Sequence, residues 1–327
     1  MEITVRQGLS PAEETVWKNF LRAQDLFPEN TPETVFFLWE EETLLGTASL
    51  SGDLITNFAV DPTHRGEDLS ARLLTAIRAF AFERDIFRLF LLTKPENQRL
   101  FSGLLFEPIA ETSSAVFMES PGGGLAELLA PFSHRTFGKT GAIVMNGDPF
   151  TLGHRALIEK AAAQCDAVFV FVLSEEKGLF SADRRLSMAK AATADLPRVT
   201  VLPTGRYLVS AATFPTYFLK DRADGLFAAC SMDIAVFSQK IAPALGITVR
   251  YLGTEPSDKV TALYNEALQR ELPQAGIAVS VLPREEKDGK PICAKTVRTL
   301  LEQKNYAAAF SLLPKTVVPI LKPLLRN

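Results

Sequence analysis

Residues that build metal centres and disulfide frameworks are scarce in this chain. Its 327 residues include three histidines (His64, His134 and His154) and three cysteines (Cys165, Cys230 and Cys293). The cysteines are scattered, with no C-x-x-C spacing, which argues against a disulfide framework or a structural zinc and for a reducing, cytoplasmic setting. Three separated histidines argue against a histidine-rich metal site, and no residue is assigned as a metal ligand. Charge of one sign is also lacking. The formal net charge of −3 argues against a general binder of nucleic acid or of an anionic membrane. No stretch approaches the roughly 20 apolar residues that span a bilayer, and the first residues lack a secretory h-region. Neither a membrane nor a nucleic acid is therefore expected as a partner. Apolar residues are plentiful, at 47% against 22% charged, enough for ample core in a chain with room for two domains.

The most informative stretch runs from Gly141 to Arg155. Ala142 to Met145 is an apolar run of strand length, and Asn146 to Pro149 is turn chemistry. From Leu152 the spacing is helical, with Ile158, Ala161, Ala162 and Cys165 on one side; Ala167 to Leu173 then forms a second apolar run. A strand–loop–helix–strand unit implies a parallel sheet whose first loop opens at the carboxyl edge, where such sheets bind ligands. Free N–H groups at the helix start favour an anion, typically a phosphate. Gly153 lets backbone approach closely, Thr151 adds a hydroxyl, and His154 adds a donor for phosphate oxygens as charge builds on them. The plainer account of His154 is a helix-start residue that only caps backbone. Asp148-Pro-Phe-Thr-Leu-Gly-His154 resembles the T-x-G-H signature of the HIGH-type nucleotidyltransferases. That resemblance implies a nucleotide site including Asn146, Gly147, Pro149 and Gly153, with Thr151 and His154 as catalytic residues.

Upstream, short strands and helices alternate to about residue 118. Phe36–Glu40 and Leu44–Ser49 read as paired strands, Asp53–Val60 as another, Ser70–Glu83 as an amphipathic helix, and Phe87–Thr93 as a strand. The segment Asn57 to Leu74, with Asn97 and Leu100-Phe101 further on, resembles the acetyltransferase fold of the GNAT superfamily. It departs from that pattern at Asp68, where a glycine is usual, and at Ser70. A carboxylate beside a phosphate nest repels the ligand, so this module is expected not to transfer acetyl groups by itself. For His64 and Arg65 a solvated turn is expected, and His134 reads as a surface residue. Glu119-Ser-Pro-Gly-Gly-Gly124 reads as a linker. The expected organisation is a GNAT-like α+β domain over residues 1–120, then a Rossmann-like parallel-sheet nucleotidyltransferase domain over 125–327, α/β in class.

Further candidates follow in order. Lys177, after the strand 167–173, would emerge on the same sheet edge and hold phosphate charge. On the helix 181–194, the resemblance to the nucleotidyltransferases implies that Arg185 reaches an anion while Arg184 stays solvated. Arg198–Leu202 and Thr248–Leu252 read as strands. Gly253-Thr254-Glu255 follows the second of these at a carboxyl end, with Glu255 either holding substrate, ribose or magnesium or serving as a turn carboxylate. Tyr264 and Asn265 read as packing and capping residues. Ile292-Cys-Ala-Lys-Thr-Val-Arg298 resembles the I-S-x-[ST]-x-[VI]-R signature that closes the ATP site of this superfamily, with Cys293 and Lys295 as departures. A thiol is a weaker donor than a hydroxyl, while Lys295 restores positive charge. The site is read as altered but still anion-binding.

Ser210 to Asp221, together with 193–197, 241–246, 253–256, Val260-Thr261 and Tyr264-Asn265, resembles one subfamily, the citrate lyase ligases. That resemblance implies ATP-dependent acetylation of the thiol prosthetic group on the acyl-carrier subunit of citrate lyase. Acetate would attack ATP to give acetyl-adenylate and pyrophosphate, and the carrier thiol would then displace AMP. It also implies His154, Thr151, Lys177 and Arg298 as catalytic residues. Asn146, Gly147, Pro149, Gly153, Arg185, Gly253, Thr254, Glu255, Cys293, Lys295 and Thr296 would hold ATP, with Mg2+ neutralising the pyrophosphate. Two alternatives stay open. One is adenylylation of a phosphopantetheine-type acceptor; the other is a catalytically impaired regulator that binds nucleotide or acyl-CoA.

Overall fold

A computed structural model describes residues 1–28, 31–64, 67–133, 138–176, 178–210, 230–255 and 259–325. The described residues form two compact units: Met1–Leu128 with 230–236, and the remainder from Leu129 onward.

The first unit is built on a seven-stranded sheet. Its elements begin β1 (Glu2–Gln7), α1 (Pro11–Ala23), β2 (Thr34–Glu40), β3 (Thr43–Ser51), β4 (Leu54–Val60), α2 (Leu69–Phe82) and β5 (Phe90–Thr93). They continue with α3 (Gln98–Gly103), β6 (Glu107–Glu111) and β7 (Val116–Glu119). The sheet order is β1-β2-β3-β4-β5-β7-β6, with every pairing antiparallel except β4 with β5. Leu69, Leu73, Leu74, Ile77 and Ala81 of α2 lie at helical spacing and pack with Phe36, Leu38, Leu45 and Ala48. Trp17 and Leu21 of α1, one turn apart, pack with Val35, Phe37 and Ala59. Alternation along β2 thus supplies both clusters, Phe36 to one and Phe37 to the other.

β4 and β5 pair only over Leu54–Ile55 and Phe90–Leu91 and then part. A cleft of about 760 Å³ opens there, lined in part by Asn57, Val60, Leu92, Thr93, Asn97 and Phe101. Asn57 sits in left-handed backbone (φ 50°) beside a register shift between β3 and β4, and its buried Oδ1 has no hydrogen-bond partner. Asp68 stands at the start of α2, also left-handed (φ 55°), and its side chain makes no cap. β5 begins three residues later than the Phe87–Thr93 run suggests. Phe87 is 69% exposed and meets Phe82 edge-on at 5.7 Å, so its ring is not part of the buried face.

The glycine-rich stretch after β7 reads as a linker but is stapled down. Arg88 donates to the Gly122 carbonyl at 2.7 Å, Ser120 exchanges hydrogen bonds with Leu89, and Glu119 accepts from the Leu125 N–H. Any Cβ at Gly124 would run into the Glu119 carboxylate. A helix, α4 (Gly124–Leu129), starts immediately.

The second unit carries a five-stranded, all-parallel sheet in the order β10-β9-β8-β11-β12. The strands are β8 (Thr140–Met145), β9 (Ala167–Val172), β10 (Val199–Pro203), β11 (Val249–Gly253) and β12 (Ala278–Leu282). Helix α5 (Leu152–Ala162) joins β8 to β9, and α6 (Ala182–Thr193) joins β9 to β10. All six residues of β9 are buried, as a near-continuous apolar strand in a parallel sheet should be. Strand order runs outward from β8 through β9 to β10, then resumes on the other flank with β11. That reversal makes a switch point beside β8, and crevices for ligands open there at the carboxyl ends. The loops after β8 and β11 flank it.

Candidate active site

The loop after β8 is shaped by its own side chains and by one arginine. Thr151 is the N-cap of α5 and forms a reciprocal cap with His154. Its hydroxyl faces the His154 backbone N–H at 3.4 Å, while the His154 ring nitrogen Nδ1 accepts from the Thr151 N–H at 3.0 Å. Since Nδ1 is an acceptor, the neutral ring carries its proton on Nε2. Burial pushes the imidazole down to about 4, with the Arg284 charge as second cause, so His154 is neutral at pH 7. His154 therefore does cap backbone, as the plainer expectation held, and it still has a free N–H to offer. Thr151 is 1% exposed with its hydroxyl 3.0 Å from the same ring nitrogen. It orients His154, rather than standing open to a phosphate as expected from the sequence.

Arg185, expected to reach an anion, is 0% exposed and is occupied by carbonyls. Nε donates to the Phe180 carbonyl, Nη1 to the Asn146 carbonyl and Oδ1, and Nη2 to the Glu175 carbonyl. Burial lowers its pKa, and Asp148, Glu176 and Glu175 act in the opposite direction. Arg185 ties the loop after β8 to the loop after β9; direct anion contact is not its place in this structure. Arg184 is exposed, as expected. Lys177 lies outside the described residues.

Asp148 closes the same junction. Its carboxylate accepts from the Leu179 and Phe180 N–H groups, each at 3.0 Å, and lies 3.7 Å from Arg298 Nη1. Gly178 crosses so close that a Cβ would sit 2.6 Å from Asp148 Oδ2. Arg298 also donates to the Asp148 carbonyl. It projects from the helix Ala294–Glu302, whose N-cap is Cys293, with Sγ accepting from the Thr296 N–H at 3.5 Å and lying 3.1 Å from Thr296 Oγ1. The two helix starts abut. A Cβ at Gly153 would come within 2.7 Å of the Ile292 carbonyl, so protein backbone, and not a phosphate, is what first requires glycine there. Lys295 and Thr296 are exposed on the first turn of this helix. In the first turns the Leu152 N–H is taken by the Leu312 carbonyl, the His154 N–H faces Thr151 Oγ1 and the Thr296 N–H faces Cys293 Sγ. Two helix starts thus meet near one histidine and one arginine, and their positive dipole ends suit a polyanion.

On the other flank, Gly253 ends β11 and Thr254 and Glu255 follow it. Asn265, in the interior of the helix Lys259–Glu271, donates to the Gly253 carbonyl at 3.3 Å and ties that helix to the end of β11. Glu255 is paired with Arg284. Pro256 and residues 211–221 of the subfamily segment lie outside the described residues, as do His134 and Arg65. His64, in the turn Pro62–His64, is half-buried beside Thr63 and Asp61. Arg284 was missed in the sequence. Its only signal there is a basic residue just past a strand end, one among 35 lysines and arginines. Among the described residues no group of three or more His, Cys, Asp or Glu side chains is placed to hold a metal ion. Nor is any of their helices long and apolar enough to cross a membrane.

Comparison with known proteins agrees with this architecture. Residues 140–321 match the citrate lyase ligase C-terminal domain, and residues 5–101 match the acetyltransferase (GNAT) family. A [citrate [pro-3S]-lyase] ligase of Klebsiella pneumoniae is 39% identical, over 93% of this chain and 91% of its own. One from Escherichia coli strain K12 is 36% identical over 94% and 90%, and one from Haemophilus influenzae 34% over 86% and 87%. With most of both chains covered in each case, the protein belongs to the citrate lyase ligase family.

Proposed function

We propose that this chain uses ATP to acetylate the thiol prosthetic group on the acyl-carrier subunit of citrate lyase, by way of acetyl-adenylate, in the cytoplasm. The observation that carries this reading is the junction at the sheet's switch point. There the α5 start abuts the start of the Ala294–Glu302 helix, with neutral His154 and Arg298 beside it.

In the first step a carboxylate oxygen of acetate attacks the α-phosphorus of ATP, and the bond to the bridging oxygen breaks to release pyrophosphate. One anion attacks another, so positioning and positive charge do most of the work. His154 contributes an Nε2–H that donates without first having to lose or gain a proton. Arg298 holds charge while fixed to the Asp148 carbonyl, and Lys295 adds a solvent-facing cation. Cys293 and Thr296 shape the second helix start, and Gly147 and Pro149 the first loop. Arg185 and Thr151 act by holding Asn146 and His154 in place. In the second step the carrier thiol attacks the acetyl carbon, its proton is lost to solvent, and AMP leaves. The two carboxylates bordering the site, Asp148 and Glu255, are both committed to protein donors. Magnesium is therefore read as arriving on the oxygens of ATP itself, and the protein's own cations and N–H groups act on what remains.

Incubation of the purified chain with ATP, acetate and deacetylated carrier is expected to yield AMP, pyrophosphate and carrier thioester in equal amounts. A dinucleotide-like product from phosphopantetheine, or tight ATP binding without turnover in the presence of carrier, would overturn the proposal.

A further inference from the structure

Arg284 leaves the chain two residues past the end of β12 and turns back across the sheet edge. Nε donates to the Thr254 carbonyl at 2.6 Å, its backbone N–H to Thr254 Oγ1 at 3.3 Å, and Nη2 to Glu255 Oε2. Glu255's side chain is only 8% exposed, and that of Arg284 26%. An exposed ion pair contributes little, but a nearly buried carboxylate stripped of its partner leaves an uncompensated charge. A planar fork that grips a carbonyl and a carboxylate together is something lysine cannot reproduce. The same short loop is fixed from two other sides, by Thr254 N–H to the Leu282 carbonyl at 3.0 Å and by Asn265 on the Gly253 carbonyl.

Strand order gives this clamp its direction. β11 lies between β12 and β8, so a side chain that starts beyond β12 and grips the loop after β11 runs toward the loop that carries His154. Its charge reaches the His154 ring. We infer that Arg284 is a positioning residue of the nucleotide site, locking Thr254 and Glu255 on the sheet edge next to the loop that carries His154. The inference rests on the nucleotide-site reading above and deepens it. Arg284 acts through the loop and the histidine, so its loss should move their geometry as well as the rate.

The test uses the full-length chain with Arg284→Gln, Arg284→Lys and Glu255→Gln, each first checked for a cooperative thermal melt. Glu255→Gln removes the ion pair without leaving a buried charge, so it serves if the arginine variants do not fold. In acetate-dependent ATP–pyrophosphate exchange, Arg284→Gln is expected to lose about 10²-fold in kcat/KM for ATP, the scale of a misplaced reacting group. Backbone amide signals of Thr254 and Glu255 should shift, and the His154 titration should move upward. Arg284→Lys should keep the low titration but not recover the rate, because charge returns without the fork. A folded Arg284→Gln protein with wild-type exchange, or with unmoved Thr254, Glu255 and His154 signals, overturns the inference; so does full activity in Arg284→Lys. If the wild-type chain itself shows no exchange, the functional reading has failed, and the ligand-free NMR signals still decide the role of Arg284.

Discussion

His154 is held by its neighbours in a single protonation state. Its Nδ1 is an acceptor from the Thr151 N–H, and burial beside Arg284 depresses its pKa to about 4. NMR titration of the ligand-free chain should show the Nε2–H tautomer at pH 7, with protonation centred near 4 and not near the ordinary 6.5. A midpoint near 6.5 would contradict a half-buried ring held neutral by its surroundings and the Arg284 charge. His154→Ala is expected to lower ATP–pyrophosphate exchange by about 10²–10³, the loss typical of one donor to developing charge. Arg185 shows the limit of reading residue type. A basic residue at a plausible position was legible, but its donors end on the carbonyls of Asn146, Glu175 and Phe180. No sequence spacing brings those three together; the packing of two loops does. Arg185→Ala should cost at least about 3 kcal/mol in urea unfolding, because several buried acceptors lose their partner at once.

Among the elements, the abutting starts of α5 and of Ala294–Glu302 matter most. Gly153→Ala must push the Ile292 carbonyl away from a 2.7 Å approach. A cost of about 1–3 kcal/mol is expected, as for overpacking elsewhere, with a loss of kcat/KM larger than the stability change alone explains. Thermal melts and exchange assays on the same preparation separate the two; an alanine variant as stable as wild type would show that the second helix is free to move. Cys293 caps its helix through sulfur at 3.5 Å, a long and weak contact. Cys293→Ser should raise stability by up to about 1 kcal/mol, since serine is a preferred N-cap. The strand and helix pattern here was readable from apolar periodicity. The linker reading of Glu119–Gly124 was less complete, because composition suggests freedom while Arg88 and Glu119, far and near in sequence, pin the segment down.

For the whole molecule, acid should unfold the chain in two stages. His154 has a folded pKa below its unfolded one, so its contribution is fully present above pH 6.5 and is lost as pH falls toward 4. Glu13, held near 2 chiefly by the Ser10 N–H and then by the Ser10 hydroxyl and Arg6, loses its contribution from about 4.5 downward. Asp195, held near 2 by Arg155, does so from about 3.8. Both are surface groups, so their effect should shrink with added salt, whereas that of His154 should not. Melting temperature measured from pH 8 to 3 should fall first between 6.5 and 4, and His154→Gln should flatten that first limb. An unchanged first limb in the variant would assign the fall to other groups.

The sequence by itself determined the class of each half, the strand and helix pattern around Thr151 and His154, and the helix start that carries Arg298. The pattern around Thr151 and His154 is local, written in apolar periodicity and turn residues, while the acetyltransferase-like first half and the helix start with Arg298 were legible through resemblance to family signatures. The tertiary structure alone decided which cations are free and which are spent. It placed Arg185 on carbonyls, gave Gly153 to the Ile292 backbone, and brought Arg284 from beyond β12 onto the loop after the neighbouring strand β11. The physical reason is that a side chain's partners depend on which loops the sheet order makes neighbours, and that order joins residues more than a hundred positions apart.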